Sequence, residues 1–186
     1  MQRDARPAAL LAPTHLAPTP IAALPAQDSA TVQALMRDFA RDLARAGARI
    51  AGVTQMRGQD AAGRSRIFLR DLSSDAEFVI SQDLGPGSVA CNLDAGELAM
   101  ACAAVERAAR DGADLIVVSK FSKQEAERGG LCDAFRAAMS ARIPVIAAVS
   151  PHFREEWRLF AGPLAEDVDP SHEALSAWWA RAGQRK

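Results

Sequence analysis

Two places along the chain bring together residues suited to anion chemistry. The first is Pro25-Ala26-Gln27-Asp28-Ser29-Ala30-Thr31, between the short apolar run Ile21-Ala22-Ala23-Leu24 and a stretch where Val32, Leu35, Met36, Phe39 and Leu43 recur at helical spacing. A strand, a loop and a helix in that order aim free backbone N–H groups and the positive end of a helix dipole at whatever sits in the loop. A working phosphate loop also needs glycines, so that the backbone can wrap the phosphates, and then a Lys and a Ser or Thr for charge and metal. This loop has no glycine, carries Ala30 where the Lys belongs and adds the anionic Asp28; Ser29 and Thr31 keep hydroxyls near the helix start.

The second place is the end of Asp114-Leu115-Ile116-Val117-Val118-Ser119, which runs on into Lys120-Phe121-Ser122-Lys123-Gln124-Glu125. A hydrolase acting on nucleoside triphosphates would end this strand in a metal-ordering carboxylate. Ser119-Lys120 offers a cation instead, which disfavours Mg²⁺-dependent hydrolysis and suits an oxyanion. Lys120 and Lys123 are therefore candidate anion ligands at the carboxyl ends of strands, where open α/β sheets bind ligands. The alternative is a pair of solvated loop lysines, one of them paired with Glu125. Gln55, expected at a strand's end, has the reach to orient a ligand or to satisfy loop backbone.

Other reactive residues are less tightly placed. Cys91, just ahead of the Asp94 helix cap, is either a reactive thiol or soft ligand, or a small buried hydrophobe. Cys102 and Cys132 fall on helical stripes and read as core. Arg64 and Arg66 flank a turn, with a bidentate anion clamp set against ordinary soluble surface. His15, His152 and His172 lack ligand spacing, so no metal site is expected, and no nucleophile-elbow or zinc-protease motif occurs.

The elements that must position these residues alternate from Pro20 onward as strand and helix. After the first strand and a helix stopped at Gly47 comes a strand over Arg49 to Gln55. A turn at Gly58 to Gly63 leads to Arg66–Leu72 and then Phe78–Ile80, a pair joined so briefly that it must be antiparallel. Asp94-x-x-Glu97 opens a helix to about Asp111, and Leu115–Ser119 is the central strand. Ser122-x-x-Glu125 opens a helix interrupted by Gly129-Gly130, Ile143–Val149 is the last core strand, and helices near Phe153–Phe160 and from Pro170 close the chain. Trp157, Trp178 and Trp179 lie on those closing helices, as cover for the core or as a contact surface.

Composition limits the rest. The chain has 186 residues, 49% hydrophobic and 24% charged, with a formal net charge of −1, which fits one folded domain and gives no excess of charge for nucleic acid or an anionic membrane. Residues 1–19, rich in Ala and Pro, read as a flexible leader before a single domain over 20–186. Nothing in it reads as a signal peptide or membrane span. Three cysteines without a C-x-x-C pair fit neither a disulfide framework nor a zinc knuckle and point to a reducing cytoplasm.

The strand ending in Gln55, the segment Gly63-Arg64-x-Arg66-Ile67-Phe68-Leu69-Arg70-Asp71-Leu72 and the run Leu115 to Glu125 resemble the layout of the small cancer-related-type nucleoside triphosphatases. Lys123 and Glu125 match that family, whereas Ser119 and Lys120 depart from its acidic strand end. A nearer resemblance, carried by Gln55, Cys91-x-Leu93-Asp94, Lys120-Phe121-x-Lys123-x-Glu125, and Ile143-Pro144-Val145 followed by Trp157, is to a bacterial domain family of unknown function often encoded beside molybdate-transport genes. That resemblance implies a three-layer α/β fold of the P-loop-NTPase type, a mostly parallel sheet with an antiparallel hairpin, and a tie to molybdenum metabolism.

The leading expectation is a non-hydrolysing domain without cofactor that binds a small oxyanion or nucleotide-like ligand through Asp28, Ser29, Thr31, Gln55, Lys120, Lys123 and Glu125. A nucleoside triphosphatase with an atypical loop and a protein-interaction adaptor are the alternatives; a protein partner or a second copy of the chain stays open.

Overall fold

A computed structural model of the chain describes residues 20–81 and 93–183. Its elements follow from the apolar periodicity. Strand β1 (Ile21–Pro25) leads through a three-residue loop into helix α1 (Ser29–Arg45). Val32, Met36, Phe39 and Ala40 form the buried stripe of α1, and Gly47, at φ 94°, turns the chain out of the helix. Strands β2 (Ile50–Gln59), β3 (Ser65–Asp71) and β4 (Glu77–Val79) follow, then α2 (Ala95–Arg110) and β5 (Leu115–Phe121). The short α3 (Lys123–Ala126) and α4 (Cys132–Ser140) lead to β6 (Val145–Val149), then α5 (Arg154–Ala161), β7 (Ala165–Asp167) and α6 (His172–Ala182).

The strands form one seven-stranded sheet in the order β4-β3-β2-β5-β6-β1-β7. From β2 to β7 every neighbouring pair is parallel, and β3 and β4 add an antiparallel edge. The chain leaves β1 across β6 and β5 to reach β2, adds β3 and β4 outward, then returns through β5 and β6 and passes β1 to form β7. Right-handed crossovers running in opposite directions must lie on opposite faces of a sheet. Accordingly α1 and α6 pack on one face with Ala22, Leu24, Val117 and Ile146, while α2, α4 and α5 pack on the other with Ile21, Ala51, Ile116 and Val145. This is the three-layer P-loop-NTPase-like α/β plan with a mixed sheet. Each fully buried Leu, Ile or Phe in these layers contributes roughly 1.5–3 kcal/mol of transfer free energy.

Gly52 fixes how closely β2 meets β5. Its φ is 118°, and a Cβ at that position would lie 2.0 Å from the Val117 carbonyl oxygen, so only glycine lets the strands pair there. Beyond Gly52, β2 parts from β5 and continues as one arm of the hairpin with β3, through Gln55 opposite Leu69 to Gln59 opposite Ser65. Gln55 is therefore inside a strand ten residues long, a correction to the strand end expected for it. Strand β7 was not expected: its three residues, Ala-Glu-Asp, show no apolar alternation and pair only through β1. Residues 1–19, read as a leader, lie outside the described residues.

Candidate functional site

The loop after β1 is closed by its own side chain. Asp28 is the N-cap of α1: its Oδ1 accepts from the Ala30 amide at 3.0 Å and the Thr31 amide at 3.5 Å, and the Thr31 hydroxyl donates to Oδ2 at 2.5 Å. Asp is among the best N-caps because its carboxylate supplies the acceptor that helix-start amides lack. The Thr31 hydroxyl, and then the two amides, hold the Asp28 carboxyl below its ordinary pKa, so it stays negative. The amides counted on to bind a ligand are thus engaged by the chain's own carboxylate, and a negative charge stands where a phosphate would stand.

At the end of β5 the charge is reversed. Pairing of β5 with β6 shifts register between Val118, opposite Ala147, and Phe121, opposite Val149. In a regular strand Val118 and Phe121 would point to opposite faces. The irregularity lets both enter the core under α2, α4 and α5, where Phe121 packs against Trp157 and Phe160 at centroid distances of 5.1 and 5.3 Å. Such bulges re-aim side chains beside functional sites. Here the residues between are Ser119, which is buried, and Lys120, which is half-buried.

Lys120, Ser119, Gln55 and Glu125 line one cleft of about 90 Å³, whose apolar wall comes from Leu69, Ile80 and Leu131 among others. Lys120 is the one cation among its described lining residues. Glu125 is 5% exposed and works as a staple: Oε2 accepts from the Ser122 amide at 3.0 Å and the Ser122 hydroxyl at 3.2 Å, and Oε1 from the Leu131 amide at 3.0 Å. Burial raises its pKa against the pull of these donors. Gly130, at φ 57°, makes room for it, since a Cβ there would lie 2.1 Å from Glu125 Oε1.

Gln33 ties this cleft to α1. Its Nε2 donates to the Ser119 carbonyl, and its Oε1 accepts from the Gln55 amide at 2.6 Å, so one buried amide bridges β5 and β2 where the two strands part. Gln33 was absent from the sequence-derived candidates. The available signal was a polar residue in register with Met36 and Ala40 on the buried stripe.

A family model described as "Protein of unknown function (DUF2478)" matches residues 21–178. This chain belongs to that family. The DUF2478 chain is also similar to the Molybdenum import ATP-binding protein ModC 2 of Bradyrhizobium diazoefficiens, with 39% identity over 169 residues, covering 90% of this chain. It spans only 19% of that relative's length. No solved structure matches it.

The remaining candidates of the DUF2478 chain are dispersed. Lys123 is exposed and 3.9 Å from Glu127, one turn along α3, and is not among the residues lining the cleft. Ser29 opens α1 at half-buried exposure. Arg64 and Arg66 each reach Asp60 Oδ2 at 2.9 Å, and the Arg64 amide is the largest of several donors that hold the Asp60 carboxyl far below its ordinary pKa. The two arginines thus brace the β2–β3 turn. Cys102 and Cys132 are buried, as expected, and burial pushes the Cys102 thiol up to about 11. Cys91 lies outside the described residues. Among the described residues no group of His, Cys, Asp and Glu could hold a metal ion, and no helix is long and apolar enough to cross a membrane.

Proposed function

We propose that this chain is a non-hydrolysing P-loop-like domain that binds a small oxyanion or nucleotide-like ligand in the cleft beside Lys120 and Gln55, in support of molybdenum uptake or cofactor handling. The observation that carries this reading is the exchange of charge between two strand ends. A carboxylate, Asp28, sits on the helix amides that a phosphate would need, and an ammonium, Lys120, stands one residue before the end of the strand that would need a carboxylate. Triphosphate hydrolysis depends on the reverse arrangement. A single cation with a polar neighbour and an apolar wall in a small recess suits one compact oxyanion. The named role of the ModC 2 relative, molybdenum import, supports molybdate as the first ligand to try.

A thermal-shift screen against molybdate, tungstate, sulfate, phosphate, ATP and GTP tests the reading. A ligand that binds only the native state at about 100 times its Kd adds about 2.7 kcal/mol of stability. At least one oxyanion is expected to raise the melting temperature, and the rise is expected to vanish in Lys120→Gln. Mg²⁺-dependent phosphate release from ATP or GTP would overturn it in favour of a nucleoside triphosphatase. A flat screen would favour the adaptor.

A further inference from the structure

A second recess lies on the other face of the sheet, where α1 stops short of the hairpin. By strand alternation Ile50, Gly52 and Thr54 of β2, with Arg70 and then Leu72 after β3, share the α1 side, opposite Val53 and Leu69. Between these residues and the second half of α1 is a pocket of about 350 Å³. Buried Ala40 and Ile50 and half-buried Leu72 form its floor, and Arg37, Arg41 and Arg70 stand round it with one carboxylate, the exposed Asp75.

The arginines are neutralised only in part. Arg37 makes no ion pair or side-chain hydrogen bond among the described residues. Arg41 is 2.8 Å from Asp38, with both side chains about half exposed. Arg70 is 3.6 Å from Asp75 and 3.8 Å from Glu77, distances too long for hydrogen bonds. Its Nε is buried with no hydrogen-bond partner, as is the hydroxyl of its cross-strand neighbour Thr54. Buried donors left unmade are costly, and such groups mark places where a partner is missing.

From this geometry we infer that the α1–hairpin recess is a binding site for a small organic anion, one carrying a phosphate or sulfonate group on an apolar body. Guanidinium groups recognise such oxyanions with paired hydrogen bonds, and the volume falls in the range of small-molecule pockets. A bare inorganic ion would leave the apolar floor unfilled, and a neutral apolar molecule would leave Arg37 without a counter-charge. The site stands apart from the Lys120 cleft, which opens on the opposite face.

The test is titration of the whole chain with phenyl phosphate, inorganic phosphate and phenol, followed by calorimetry and by amide chemical shifts. Phenyl phosphate is expected to saturate and to move the amides of Arg37 to Ala44 and of Leu72. Inorganic phosphate and phenol are each expected to bind at least about tenfold more weakly, the worth of one charge-assisted contact or of a filled apolar floor. The double variant Arg37→Gln/Arg41→Gln is expected to lose at least about tenfold in affinity for phenyl phosphate. Gln is a good helix former, so the variant keeps the melting temperature; Arg37→Gln alone gives the same direction of change should the double variant fold poorly. Absence of saturation, wild-type affinity in both variants, or shifts confined to the Lys120 cleft would overturn the inference.

Discussion

Gln33 gives the sharpest prediction, because one side chain joins the retained helix to the cleft. Gln33→Met keeps the length and apolar fill of the side chain while deleting both hydrogen bonds. The Gln55 amide and the Ser119 carbonyl then lose the partner they have now. A buried backbone group left unpaired costs about 1–3 kcal/mol. Gln33 is only 3% exposed, whereas Gln55 is half-buried and water can partly compensate its amide, which puts the total near 2–4 kcal/mol. For a domain of this size each kcal/mol lowers the melting temperature by about 2–4 °C, so calorimetry should record a fall of about 4–16 °C. Gln33→Glu is expected to cost more than Met, since an ionised carboxylate still accepts from Gln55 but sets a negative oxygen against the Ser119 carbonyl. A Gln33→Met protein melting within about 0.5 kcal/mol of wild type, the range of neutral surface changes, would refute the bridge.

Gly52→Ala is expected to fail to fold or to lose more than about 4 kcal/mol, because its Cβ would enter the Val117 carbonyl at a positive φ; yield and denaturant midpoint check this. Glu125→Ala strips the Ser122 and Leu131 amides of their acceptor and is expected to cost about 2–4 kcal/mol in urea unfolding, more than Glu125→Gln, whose carbonyl can still accept one of them. Asp28 and Asp60 are both held below the ordinary carboxyl pKa of 3.8. A group with a depressed folded-state pKa adds stability above the unfolded value and loses it as pH falls through the folded one. The advantage of wild type over Asp60→Asn should therefore be full near neutrality and shrink as pH drops below about 4, and urea midpoints from pH 6 to pH 2 would follow it. An advantage that grows on acidification would contradict the assigned hydrogen bonds.

The layered plan was legible because its signals are local. Ile21–Leu24, Leu115–Ser119 and Ile143–Val149 are runs long enough only for buried strands, and the Val32 to Leu43 spacing admits only a helix. The loss of the phosphate loop was legible from Ala30 and the missing glycines alone. That Asp28 caps α1 follows from residue type, but its capture of the very amides a ligand would use is a matter of φ and ψ at one residue, which no spacing encodes. The gathering of Lys120, Gln55 and Glu125 depended on tertiary events: the register shift that brings Val118 and Phe121 to one face, and the divergence of β2 from β5 after Gly52. Lys123 looked equivalent to Lys120 in sequence, yet Ser122, Gln124 and Glu125 on either side of it line the cleft while Lys123 pairs with Glu127. β7 escaped notice because an edge strand of three residues held by β1 needs no pattern of its own.

The most direct test of the reversed charge at the two strand ends is calorimetric titration of molybdate into wild type and Lys120→Gln. The account predicts saturable heat at one site per chain in the wild type and none in the variant. Indistinguishable isotherms for the two proteins would contradict it.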